Sequence, residues 1–193
     1  AETEITEYDL QRKDGTVFPA LVHSELIKLD GKPCCFVGIG IDITEHRKSE
    51  QEQRRLVAAI EQSGETILIT DTDATILYVN PHFEKVTGYT RDEVVGKNPR
   101  ILSAGGQDPE FYRQMWDVLL NGGTWQGRFV NRRKDGTSFY EEATISPVMD
   151  PSGKITNFVA VKRDVTDELR IEEEKEELEK QFQQAQKMES VGL

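Results

Sequence analysis

Through residues 125–132 and 138–148 apolar and polar positions alternate, and both stretches are rich in aromatic and β-branched side chains. A period of two predicts paired strands, and Lys134-Asp135-Gly136 between them predicts the hairpin turn. A further turn at Asp150-Pro151-Ser152-Gly153 leads into a third strand over 155–163. Upstream, 66–71 and 75–79 predict another hairpin around Asp73-Ala74, and Asn80-Pro81 then predicts the cap and first residue of a short helix. Gly88 and Gly96 punctuate two short helical pieces. Asp108-Pro109 opens a longer helix through Leu120, with Phe111, Met115, Val118 and Leu119 at helical spacing. The order strand, strand, short helices, helix, three strands predicts an α+β unit with helices on one face of a five-stranded antiparallel sheet.

Part of this pattern occurs twice. Arg12-Lys13-Asp14-Gly15-Thr16 recurs as Arg133-Lys134-Asp135-Gly136-Thr137; after a one-residue insertion Phe36-Val37 matches Phe158-Val159, Asp42 matches Asp164 and Thr44 matches Thr166. The chain therefore reads as two copies of one unit, the first cut short at its N-terminus. Residues 1–45 supply the last three strands of the truncated copy, at 5–11, 17–29 and 33–41. A helical linker follows over 46–64, the complete copy over 65–167 and a C-terminal helix over 168–193. The truncated sheet has an apolar face with Phe36, Val37 and Ile39 but no helices of its own, which predicts that it packs on another chain or is poorly ordered.

Composition narrows the partners. Of the 193 residues 36% are apolar and 31% charged, and much of the polar excess lies in 44–55 and 167–187, which read as solvated helices. The net charge of −11, with acid concentrated over 172–179, argues against nucleic acid or an anionic membrane surface as partner. Cys34 and Cys35 are neighbours in one strand and point to opposite faces, so they form neither a bridge nor a metal pair; a reducing cytoplasm is the expected location. No apolar run reaches the ~20 residues needed to span a bilayer. Ile171, Leu178 and Ala185 recur every seven residues, with Lys175 and Phe182 between them. That seam predicts a weak parallel coiled coil and a homodimer through the C-terminal helix; a single helix docked on its own sheet is the alternative. Leu56, Ala59, Ile60 and Ser63 form a shorter stripe.

Signals of catalysis are poor. No glycine-rich phosphate loop is present, His46 sits among charged helix residues, and His82 follows the Asn80-Pro81 cap. The carboxylates cluster on a helix surface, without a catalytic dyad, so the segment reads as non-enzymatic.

Asn80-Pro81-His82-Phe83, Thr87-Gly88-Tyr89, Gly96-Lys97-Asn98-Pro99, Trp125 with Gly127, Asn131 through Gly136 and Asp164-Val165-Thr166 stand in an order and spacing that resemble the PAS sensor domains. The resemblance covers about residues 66–167 of the complete copy and 5–45 of the truncated one. It implies a PAS fold and a relay of ligand or partner binding into the helix after Thr166. Residues 186–193 resemble the lead-in to the phospho-acceptor helix of sensor histidine kinases, implying a downstream kinase core in a two-component system. A purely structural dimerisation spacer is the alternative function.

Within the family the complete copy resembles the light-oxygen-voltage group, whose photoreactive cysteine falls at Pro99, so cysteinyl-flavin photochemistry is not expected. Trp125, Asn131, Glu141, Phe158 and Lys162 are the expected cofactor-binding positions, with FAD or FMN the leading candidate. Trp125 also has a plain reading as a core residue. Asn131 keeps the amide of that group, whereas Glu141 replaces an asparagine and Lys162 a glutamine. Strand alternation turns both charges inward. Either they pair and close an empty or water-filled pocket, or they share a polar ligand such as a redox flavin, with Lys162 favouring the reduced anion.

Overall fold

The computed structural model describes residues 4–191 and, within them, every side chain except those of residues 4, 29, 33, 36 and 188–191. The chain divides into two compact units, residues 1–59 and 60–193.

The first unit is a three-stranded antiparallel sheet, β1 (Glu4–Gln11), β2 (Val17–Leu29) and β3 (Lys32–Asp42), in the order β1-β2-β3. The β1–β2 turn is held by Asp14, whose carboxylate accepts from the Thr16 backbone at 2.9 Å and its hydroxyl at 2.7 Å. Val37 and Ile39 are solvent-exposed, while the Phe36 side chain, expected beside them, lies outside the described residues. Helix α1 (Thr44–Glu61) follows; its Leu56 and Val57 are exposed.

The second unit is a five-stranded antiparallel sheet in the order β5-β4-β8-β7-β6. Its strands are β4 (Thr66–Thr70), β5 (Ile76–Val79), β6 (Trp125–Arg132), β7 (Ser138–Met149) and β8 (Ile155–Asp164). The last strand pairs with the first, which brings the unit's two ends together at the sheet centre. In the β4–β5 turn the Asp71 carboxylate accepts from the Asp73 and Thr75 backbones at 2.9 and 2.7 Å, and this bracing holds Ala74 at φ +60°.

Between β5 and β6 lie α2 (Pro81–Thr87), α3 (Arg91–Val94), a 3₁₀ turn (Pro99–Leu102) and α4 (Pro109–Leu120). Each helix start has its own chemical reason. Asn80, Asn98 and Asp108 each accept a backbone N–H of the first turn and precede a proline, and Thr90 forms a capping box with Glu93. Helix α2 ends at Gly88 (φ +77°), where a side chain would be strained.

The core lies between these helices and one face of the sheet. Phe83, Val94 and Leu102 pack with Leu68, Ile76, Val79 and Ala160, while Met115 and Leu119 pack with Trp125, Phe129, Ala143 and Phe158. The apolar stripe of α4 differs from expectation: Val118 is exposed, and Tyr112 and Trp116 take part in the packing, because the stripe is centred on Met115 and Leu119. Helix α5 (Thr166–Val191) leaves the sheet, and Ile171, Leu178 and Phe182 along it are all exposed.

Candidate functional site

The inward face of β6–β8 carries the chemistry. Alternation places Trp125, Phe129 and Asn131 inward on β6, Phe139, Glu141 and Ala143 on β7, and Phe158, Ala160 and Lys162 on β8, all buried. Phe129 is registered opposite Glu141, and Ala143 opposite Lys162, so Glu141 and Lys162 are diagonal neighbours on adjacent strands. Their side chains meet at 3.0 Å, with Glu141 0% and Lys162 7% exposed. The Glu141 Oε2 atom that receives Lys162 also accepts from Asn131 Nδ2 at 2.7 Å. Its other oxygen, Oε1, is buried and has no hydrogen-bond partner among the described residues. Removing two charges from water costs several kcal/mol per ion, which close pairing and added hydrogen bonds offset.

The ion pair does not fill the interior. Beside it lies a cavity of about 390 Å³, walled by Leu68, Met115, Trp116, Leu119, Phe129, Ile145, Phe158 and Ala160, with Thr70, Asn131 and Lys162 as polar sheet-side groups. Asn98, Pro99, Arg100 and Ser103, from the 3₁₀ segment, contribute the facing wall. This volume falls within the roughly 300–1,000 Å³ of small-molecule sites, and apolar walls with a few convergent polar groups are the usual composition of such sites.

The expected site residues therefore divide. Asn131, Phe158 and Lys162 line the cavity, and Glu141 stands behind Asn131 and Lys162. Trp125 does not line it. The indole packs at 5.2 Å against Phe111 edge to face and at 5.2 Å against Phe129, in the plain core role, and it overlies Gly127 so closely that a Cβ there would sit 2.3 Å from the ring. Arg100, Ser103 and Trp116 were not among the expected positions. Arg100 directly follows the Gly96-Lys97-Asn98-Pro99 motif. Trp116 is offset from the period that marked Met115 and Leu119.

A second constellation joins the sheet to α5. The Asp164 carboxylate accepts from Arg133 at 2.5 Å, from the Thr166 hydroxyl at 2.6 Å and from the Thr166 backbone at 3.0 Å; Thr166 Oγ1 accepts from the Tyr140 backbone at 2.9 Å. Burial pushes the Asp164 carboxyl up, but hydrogen bonds from Thr166 and Arg133 outweigh it and hold the group below the ordinary value of 3.8. Arg133 also reaches the Val86 carbonyl on α2, so one guanidinium links α2 to the root of α5. At the other end Asn80 Nδ2 donates to the Ile60 and Glu65 carbonyls, and Glu61 accepts from Tyr78 at 2.7 Å and Arg91 at 3.0 Å.

This fold and this cavity define a sensor-type α+β domain. The PAS domain family model matches residues 2–45 and 64–167, and the chain belongs to that family. It is 32% identical over 125 residues to the nitrogen fixation regulatory protein of Klebsiella oxytoca, covering 65% of this chain and 25% of that protein. It is 34% identical over 135 residues to the blue-light-activated histidine kinase of Brucella anthropi, covering 66% of this chain and 28% of that protein. Among solved structures, the LOV domain from the Erythrobacter litoralis EL346 blue-light activated histidine kinase superposes with a TM-score of 0.51 at 30% identity, over 54% of this chain and 99% of that one. The chain thus spans about a quarter of the length of these two curated relatives, and the likeness supports a signal-sensing module. No described helix is long and apolar enough to cross a membrane.

Proposed function

We propose that the second unit senses by binding a flavin-type cofactor, FAD or FMN, in the cavity beside Lys162, and that the bound state is passed through β8 and Asp164-Val165-Thr166 into α5. The observation that carries this reading is that the Glu141–Lys162 pair leaves a cavity of about 390 Å³ open at its side. The donor set fits such a group: Leu68 and Phe158 offer apolar walls, Asn131 and Lys162 offer polar contacts to a heteroaromatic edge, and Arg100 offers a cation to a phosphorylated tail. Bound there, a flavin would supply redox chemistry. Cysteinyl adduct formation has no nucleophile there, since Pro99 lines the wall and none of the cavity-lining residues is a cysteine.

In this reading the parent is a cytoplasmic two-component sensor histidine kinase, and two chains pair through the exposed seam of Ile171, Leu178 and Phe182 ahead of the kinase core. The likeness to the blue-light-activated histidine kinase, 34% identical over 135 residues, supports it. A ligand-free spacer is the competing reading, favoured by the way Lys162 and Glu141 already neutralise one another's charge.

The test is the visible absorption spectrum of the purified chain before and after incubation with FMN and FAD. Bound flavin with resolved vibronic bands, lost in Lys162→Met, is expected; a colourless chain after reconstitution sinks the flavin reading. Light scattering on a chain ending at Asp167 should show weakened dimers, and unchanged dimers would remove α5 from the interface.

A further inference from the structure

The orientation of one buried amide limits what the cavity accepts. Ionised Glu141 has only acceptors, so the Asn131 group that meets Oε2 at 2.7 Å must be its NH₂. The Asn131 carbonyl oxygen then points the other way, and among the described residues it accepts no hydrogen bond. Lys162 spends one of its three N–H donors on that same Oε2 at 3.0 Å and makes no other described hydrogen bond. Glu141 is fully buried and touches the cavity only through these two neighbours. A carboxylate at this position therefore removes the rotational ambiguity that an amide would leave, since an amide can donate or accept at either end.

Resting on the ligand reading above, we infer that Glu141 is a positioning residue: it locks Asn131 with its carbonyl oxygen, and Lys162 with its remaining N–H groups, toward the cavity. The wall then presents an acceptor beside a cationic donor. The complementary ligand edge is an N–H beside a carbonyl oxygen or ring anion, which is the edge of a cyclic amide or imide. A three-ring flavin and a smaller purine dione both carry it. A ligand whose edge offers only acceptors leaves the Asn131 oxygen facing a lone pair, and one whose edge nitrogen is alkylated leaves it without a donor; an unmet buried polar group weakens binding by about tenfold or more.

The experiment uses the full chain and two matched probe pairs, riboflavin with 3-methylriboflavin and xanthine with 1,3-dimethylxanthine, measured by fluorescence quenching or calorimetry. Riboflavin should bind at least about tenfold more tightly than its methylated form. In Glu141→Gln, which keeps shape and hydrogen-bonding capacity but lets Asn131 rotate, that ratio should shrink while circular dichroism stays unchanged; a purely structural role would weaken both probes equally and leave the ratio alone. The double variant Glu141→Leu with Lys162→Met guards against misfolding of single variants and should bind neither probe selectively. Riboflavin binding without discrimination keeps the flavin reading and overturns the inference. Selective binding of xanthine without riboflavin keeps the inference and overturns the flavin reading. Failure of every probe overturns both.

Discussion

The two copies of the repeat share their strands, turns and terminal Asp-x-Thr, yet their inward faces differ. Register makes the correspondence residue by residue: Tyr8 is opposite Ala20 and Ala20 opposite Asp42 in the first sheet, as Phe129 is opposite Glu141 and Glu141 opposite Asp164 in the second. Asp42 accepts from the Thr44 hydroxyl and backbone at 2.6 and 2.9 Å and pairs with Arg12, matching the contacts of Asp164 with Thr166 and Arg133. But where the second unit carries Asn131, Glu141 and Lys162, the first has Leu10, Ala20 and Gly40. Strand pairing and turn chemistry are local and survive in both copies. A buried ion pair needs a surrounding that hydrogen-bonds it and keeps water out, and in the second unit Phe129, Asn131 and the layer of α4 supply that surrounding.

The comparison breaks most sharply at Lys162. Lys162→Met leaves the Glu141 carboxylate buried without a cation and should lower the unfolding free energy by about 3–5 kcal/mol in urea titrations. Adding Glu141→Leu, which moves the face toward the apolar pattern of the first copy, should recover most of that loss. A single variant as stable as wild type would mean that the pair is not buried.

Asp164→Asn comes next, because it weakens charge-assisted bonds at a site only a quarter exposed; a loss of about 1.5–3 kcal/mol at neutral pH is expected. Asp42→Asn, whose ion pair is more exposed on both sides, should cost less. The sign with pH follows from the lowered carboxyl. The contribution of Asp164 is fully present above its unfolded value of 3.8 and disappears as pH falls through the lower folded value. Asp164→Asn should therefore flatten the acid limb of the stability profile, and an unaltered limb would contradict the assigned contacts.

Gly127 corresponds to Thr6 of the first copy. Gly127→Thr places a Cβ against the Trp125 ring and should cost about 1–3 kcal/mol in thermal or urea unfolding. A neutral result would show that the indole can move away.

The smallest effect concerns the repeated turn. Lys134 reaches Glu93 at 2.6 Å, and that hydrogen bond, helped by the Thr90 backbone, lowers the Glu93 carboxyl to about 2. An NMR titration should follow this group near pH 2 in wild type, and Lys134→Met should return it toward 4.5. A group that titrates near 4.5 in both proteins would show that the turn is not docked there.

Most of the fold is legible in the sequence, because its signals are short-range. The Asn-Pro and Asp-Pro starts, the Asp-Gly turns and the alternation through β6–β8 each act within a few residues. Alternation also brought Glu141 and Lys162 to one face, since a strand offers only two. The cavity wall was less legible. Arg100 and Ser103 reach it only because the 3₁₀ turn lies across the sheet, and Trp125 turned into the aromatic cluster because Phe111 on α4 covers it.

What the sequence determined by itself was the set of local commitments: which residues cap, turn, alternate and repeat, and that a carboxylate and an ammonium share a buried face. Tertiary structure alone decided that the pair meets at 3.0 Å through one oxygen, that this same oxygen orients Asn131, and that the space beside them stays open. The reason is distance along the chain. Asn131, Glu141 and Lys162 come from three strands, and their separations are set by sheet register and by the helices packed above it, which no local pattern encodes.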